Sequence, residues 1–158
     1  MDSSVKTGLY FGLTSGIITT LGLMIGLESG TGSRAVVIGG IITIAIADAF
    51  SDALGIHMSE ESENVHTDKE VWTSTITTFF SKFLFALTFI VPVLFLPLTH
   101  AILAGAAWGL TALIFLSYMI SKDQGKSTLN VASEHLLIAI AVIITTHYVG
   151  HWVGETFM

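Results

Sequence analysis

Cysteine is absent from the 158 residues, so disulfides and thiolate metal sites are both excluded, and any metal chemistry must use Asp, Glu, His or Met. Charge is scarce too. Only 11% of the residues are charged while 52% are hydrophobic, a balance too apolar for the surface of a soluble domain of this size. The formal net charge of −6 argues against nucleic acid as a partner and suits cations. Proline occurs only at Pro92 and Pro97, where it is expected to bend and end a helix, because it lacks a backbone donor and clashes with the preceding turn. No nucleophile elbow, phosphate loop or HExxH pattern occurs, so nothing supports a hydrolytic enzyme, and the chain reads as a non-enzyme.

What the sequence does contain is five long apolar stretches: Thr7 to Leu27, Arg34 to Met58, Val71 to Leu96, Leu98 to Ile120 and Val131 to Gly154. Each is long enough to cross a bilayer, which needs about 20 residues of helix. The expected fold is therefore an all-α integral membrane bundle of five transmembrane helices, a single domain over residues 1–158. The N-terminal MDSSVKTGLYFGL has no small-residue cleavage site and is expected to remain as the start of the first helix. An odd number of spans puts Lys6, Lys69, Lys122 and Lys126 on one side and Arg34 on the other. The positive-inside rule then places the N-terminus in the cytoplasm and the C-terminus outside or in a lumen, with the plasma membrane as the location in a prokaryote. The acidic segment Ser59 to Glu70 becomes cytoplasmic. Lys82 is expected to pair with Glu134 or to snorkel to that surface. Glu134 and His135 open the fifth helix in structural roles.

Small residues organise the first helix. Gly8, Gly12 and Gly16 recur every four residues, and Gly22, Gly26 and Gly30 repeat the spacing, so another backbone can approach closely along that stripe. It is either a homodimer seam or pathway lining, or ordinary packing within one bundle.

Asp48 and Asp52 do not belong in lipid. They stand well inside the second stretch, four positions apart and hence on one helix face. Burying two carboxylates there costs several kcal/mol unless they are protonated, paired or solvated, and intramembrane carboxylates usually mark ion pathways. The structural alternative is that hydroxyls such as Thr14, Ser15, Thr19 or Ser51 bond them and merely fix packing. Further along, His57, Glu60, Glu61 and Glu63 place imidazole and carboxylate donors at ligand spacing if the helix persists, as cation collectors or simply as a solvated helix end. His147 and His151 form an i, i+4 pair near the external end. With His100 they are a candidate weak external metal or proton site, or interfacial anchors beside Tyr148 and Trp152.

Three segments resemble the vacuolar iron transporter family: GLTSGIITTLGLMIGL (Gly12 to Leu27), DAFSDALGIHMSEESE (Asp48 to Glu63) and ASEHLLIAIAVIITTHYVGHWVG (Ala132 to Gly154). STITTFFSKFLFALTFIVPVLFL (Ser74 to Leu96) is similar to the family's third span. The resemblance covers nearly all of the chain. It implies five spans per protomer, a homodimer through the first helix with the pathway between the first two helices of each subunit, and exchange of ferrous iron or manganese for protons. The metal is then substrate, with no tightly bound cofactor. Two departures stand out: Ser15 occupies the position of the family's first-span aspartate, and Asp52 stands where the family has methionine. The family's longer glutamate-rich cytoplasmic insertion is reduced here to Ser59 to Glu70.

The function expected from these features is export of a divalent cation from the cytoplasm in exchange for protons. Asp48 and Asp52 would form the membrane site, with Ser15 and Thr19 lining the pathway. All-oxygen donors there shift preference toward harder ions such as manganese, magnesium or calcium. The alternative is a non-transporting scaffold or metal sensor that keeps the family fold.

Overall fold

The computed structural model describes residues 2–157, and helix accounts for 92% of them. The helices are α1 (Ser3–Thr31), α2 (Arg34–Glu63), α3 (Asp68–Thr88), the short α4 (Ile90–Phe95), α5 (Leu98–Gln124) and α6 (Thr128–Phe157). Counting α3 and α4 as one bent span, five helices are long and apolar enough to cross a membrane. Each runs past the apolar stretch that announced it. The segment 59–70 shows this most clearly, since α2 persists through Glu63 and α3 starts at Asp68, leaving only 64–67 as a turn. Thr67 starts α3 with a capping box in which its hydroxyl accepts from the Glu70 N–H and the Glu70 carboxylate accepts from the Thr67 N–H. Those bonds from the Thr67 backbone and hydroxyl hold the Glu70 carboxyl below the usual carboxylate range.

The break at Phe89 follows from Pro92, whose missing N–H cannot serve the Thr88 carbonyl four residues earlier. The end of α4 is capped from a distance. Arg34, at the start of α2, donates to the Leu94 carbonyl at 3.3 Å and the Leu96 carbonyl at 2.8 Å, placing a cation at the negative end of that helix.

Helix α1 is the axis of the bundle and touches α2, α3, α5 and α6. Its two glycine series serve different neighbours. A Cβ at Gly8 or Gly12 would collide with the backbone of α3 at Ser74 and Thr78, and one at Gly30 would lie 2.9 Å from the Gly150 carbonyl of α6. The stripe is thus filled within the chain, which is the bundle-packing alternative.

Polar side chains share the interior with the apolar core, and the exterior is apolar as well. Ser74, Thr78, Lys82, Ser117 and Ser121 are buried, whereas Phe50, Leu103 and Phe115 are about two-thirds exposed. An apolar exterior of this extent suits lipid as the surrounding solvent. At one end Lys6 pairs with Asp123 at 2.8 Å, which places the start of α1 beside the end of α5 and puts Arg34 at the opposite end of the bundle.

Gly12→Val should force α1 from α3 and lower stability by about 1–3 kcal/mol, as overpacking does. Thermal unfolding in detergent reads this directly, and the outward-facing Leu103→Val should change it by less than about 0.5 kcal/mol.

Candidate cation site

Midway along the bundle, α3 brings Lys82 between the two aspartates of α2. The ammonium lies 2.5 Å from Asp48 Oδ2 and 2.5 Å from Asp52 Oδ2, and it donates to Ser15 Oγ of α1 at 2.8 Å. The lysine side chain is 1% exposed, Asp48 26% and Asp52 19%. Lys82 therefore neither reaches the surface nor meets Glu134, correcting both expectations. A snorkelling lysine must stand near the helix end, and this one is held at the middle of α3 by opposite charge. Its stem lies over Gly16, where a Cβ would stand 3.3 Å from the lysine Cγ. The third glycine of the first series thus makes room for the charge.

The two ion pairs differ. Asp52 accepts a directed hydrogen bond from Lys82, whereas Asp48 Oδ2, although equally close, makes an ion pair without hydrogen-bond geometry. At an effective dielectric of about 20, each pair gains roughly 6 kcal/mol of Coulomb energy, against several kcal/mol for desolvating the ammonium. Two carboxylates overcome that penalty where one would barely match it. With both carboxylates ionised and the lysine protonated, the cluster carries one net negative charge.

Sequence reasoning missed Lys82 as a member of the site, although a signal was present. The residue lies as far beyond the turn at 64–67 as residues between Asp48 and Asp52 lie before it. An antiparallel helix pair with so short a turn puts them at one depth.

Thr19 and Ser15 divide their roles. Ser15 touches the site, while the Thr19 hydroxyl donates to the Ser15 carbonyl at 2.9 Å and borders a groove of about 620 Å³ between α1, α2 and α6. Ile44 lines the same groove one turn before Asp48, so the groove runs from the Arg34 end of the bundle toward the aspartates. Toward the other end the α2–α3 interface is polar. His57 Nδ1 lies 3.0 Å from Thr75 Oγ1, and that hydroxyl already donates to the Val71 carbonyl, so its oxygen accepts from His57. Glu60, nearly buried, accepts from Ser74.

Glu61 and Glu63 face outward, with Glu63 3.5 Å from His66, so this group does not close around one point with His57 and Glu60. The histidines expected to form an external site have separate partners: His151 pairs with Glu155 at 3.3 Å, His147 stacks edge-on against Tyr148, and His100 is exposed on α5. Among the described residues, no three Asp, Glu or His side chains form a metal cage. His135 lies 2.8 Å from Ser117 inside the α5–α6 contact, consistent with a structural role. Beside the aspartates, Gly39, Thr43, Ala47, Ser51, Gly55 and Ser59 form an exposed ridge of small residues along α2.

Lys82→Met would leave two carboxylates without their counter-ion. Removing one partner of a buried pair costs about 3–5 kcal/mol, an upper bound here because both aspartates are partly exposed. A double-mutant cycle from unfolding midpoints should couple Lys82 more strongly to Asp52 than to Asp48, and equal coupling would contradict the hydrogen-bond asymmetry.

No family model matches the chain, and no curated protein is significantly similar to it.

Proposed function

We propose that the chain is an integral membrane transporter that moves a divalent cation, ferrous iron or manganese, out of the cytoplasm in exchange for protons. Asp48 and Asp52 are its membrane-embedded site. The observation that carries this reading is the pair of carboxylates around Lys82 at mid-bundle depth, partly exposed while the lysine is sealed. Charges kept at that depth are expensive and are characteristic of ion pathways. The polar contacts of His57 and Glu60 lie between the cluster and the 64–67 turn on the α2–α3 interface. The residue patterns that resemble the vacuolar iron transporter family support the same substrate class. Basic residues gathered at the Lys6 end favour that end as cytoplasmic.

The homodimer belongs to this proposal in altered form. The α1 glycines are occupied within the chain, whereas a Cβ at Gly39 or Gly55 of α2 would meet nothing within 4 Å. A second copy therefore packs on the α2 ridge in this reading, beside the aspartates. Because the chain has no cysteine, Ser51→Cys introduces a single thiol. Mild oxidation in membranes should cross-link it to a dimer and leave Leu103→Cys monomeric.

One observation favours a second reading, a non-transporting scaffold or sensor: Lys82 already compensates the carboxylates that a cation would need. Flux distinguishes the two. In proteoliposomes, Asp48→Asn and Asp52→Asn should each lower proton-coupled manganese or ferrous iron uptake at least about tenfold, a loss of about 1.4 kcal/mol in barrier terms. Unchanged flux in both variants would remove the aspartates from the pathway, and absence of flux in the unmodified chain would favour the scaffold.

A further inference from the structure

Near the charge cluster the core contains two hydroxyls with nothing to bond. The side-chain oxygens of Thr20 and Thr78 are buried without a hydrogen-bond partner, and both residues are fully enclosed. Thr78 precedes Lys82 by one turn of α3. Thr20 follows Gly16, over which the lysine stem lies, by one turn of α1, and because α1 and α3 run parallel it lies on the opposite side of the lysine from Thr78. Orphaned hydroxyls in a core are unfavourable and call for an explanation. Among the described residues Lys82 is the one buried lysine or arginine, and it is a point charge on a flexible four-carbon stem, able to exchange acceptors one turn apart.

We propose that Lys82 is a tethered competitor that sets the selectivity of the carboxylate pair. Its ammonium holds the position a free cation would take, so monovalent cations are excluded and a divalent cation displaces it toward Ser15 and Thr78. The inference rests on the reading that Asp48 and Asp52 bind a cation. It adds which cations they admit and what prevents the others.

The physical reason is charge and concentration together. Sodium or potassium in place of the ammonium leaves the local charge unchanged. An ammonium fixed to its own helix competes at an effective concentration that free monovalent ions do not match. A divalent ion brings twice the charge to two carboxylates, and its attraction grows in proportion. The unequal bonding helps it, because Asp48 Oδ2 has no hydrogen bond to surrender.

The test uses the purified full chain in detergent, in choline buffer, with the thermal midpoint followed as manganese or sodium is added. The unmodified chain should be stabilised by manganese and not by sodium. Lys82→Met should respond to both, with manganese acting at about tenfold lower concentration or less, as follows if the ammonium occupies the pair about nine-tenths of the time. Lys82→Arg retains the charge and should behave as the unmodified chain. A Lys82→Met response identical to that of the unmodified chain overturns the inference and leaves the transport reading standing. No response to manganese in either protein overturns both. A response in Lys82→Met alone overturns the inference, because manganese then does not displace the lysine, and the transport reading falls with it. If Lys82→Met requires added cation to fold, recovery by manganese supports the inference. If neither it nor Lys82→Gln folds with manganese or sodium present, no free cation can replace the lysine and the inference is overturned.

Discussion

A buried ammonium needs its counter-charges at its own depth, and the contact of Lys82 with Asp48 and Asp52 imposes that requirement on the helices that carry them. The register of α3 against α2 follows, because a slip of one helical turn would move the charge about 5.4 Å along the axis and leave a carboxylate unmatched. The same contact explains the polar side chains toward the turn, where His57 meets Thr75 and Glu60 meets Ser74 with the two helices in that register. Hydrophobic burial alone would not select it, since apolar side chains packed in lipid have little to gain from one alignment over another.

The glycines of α1 make the arrangement sterically possible. At Gly8 and Gly12 they let α3 approach, and at Gly16 they make room for the lysine stem. Packing and electrostatics are therefore coupled at one residue, since a side chain at position 16 would press on the lysine that the aspartates hold. The second glycine series applies the same principle to α6 and leaves α1 enclosed by its neighbours.

Much of this was legible in the sequence. Length and hydropathy sufficed for five spans, because continuous apolar helix is a strong signal and the turns between spans are short. Asp48 and Asp52 stood out through the rarity of charge in such stretches. The partner of the pair was not read, because helical periodicity reports which face a residue occupies and says nothing of which helix meets that face. Lys82 was assigned by the habit of long basic side chains near helix ends, when depth measured from the 64–67 turn would have placed it beside the aspartates. The glycine stripe had the same ambiguity: spacing announces close approach, but only the fold reveals that both neighbours belong to the same chain. Glu61, Glu63 and the histidines looked like ligand sets because spacing along one helix ignores the competing partners offered by the next.

The short turn between α2 and α3 also bears on how such a chain enters a bilayer. On biological insertion scales an aspartate at the centre of a helix costs about 2.5–3.5 kcal/mol, and α2 arriving alone would carry two. Four residues after α2 ends, α3 begins, with the neutralising lysine at the same height. Biogenesis is then a matter of the hairpin and not of the single helix. Pairing the two spans during insertion offsets part of that cost, because the lysine of α3 neutralises one of the two carboxylates.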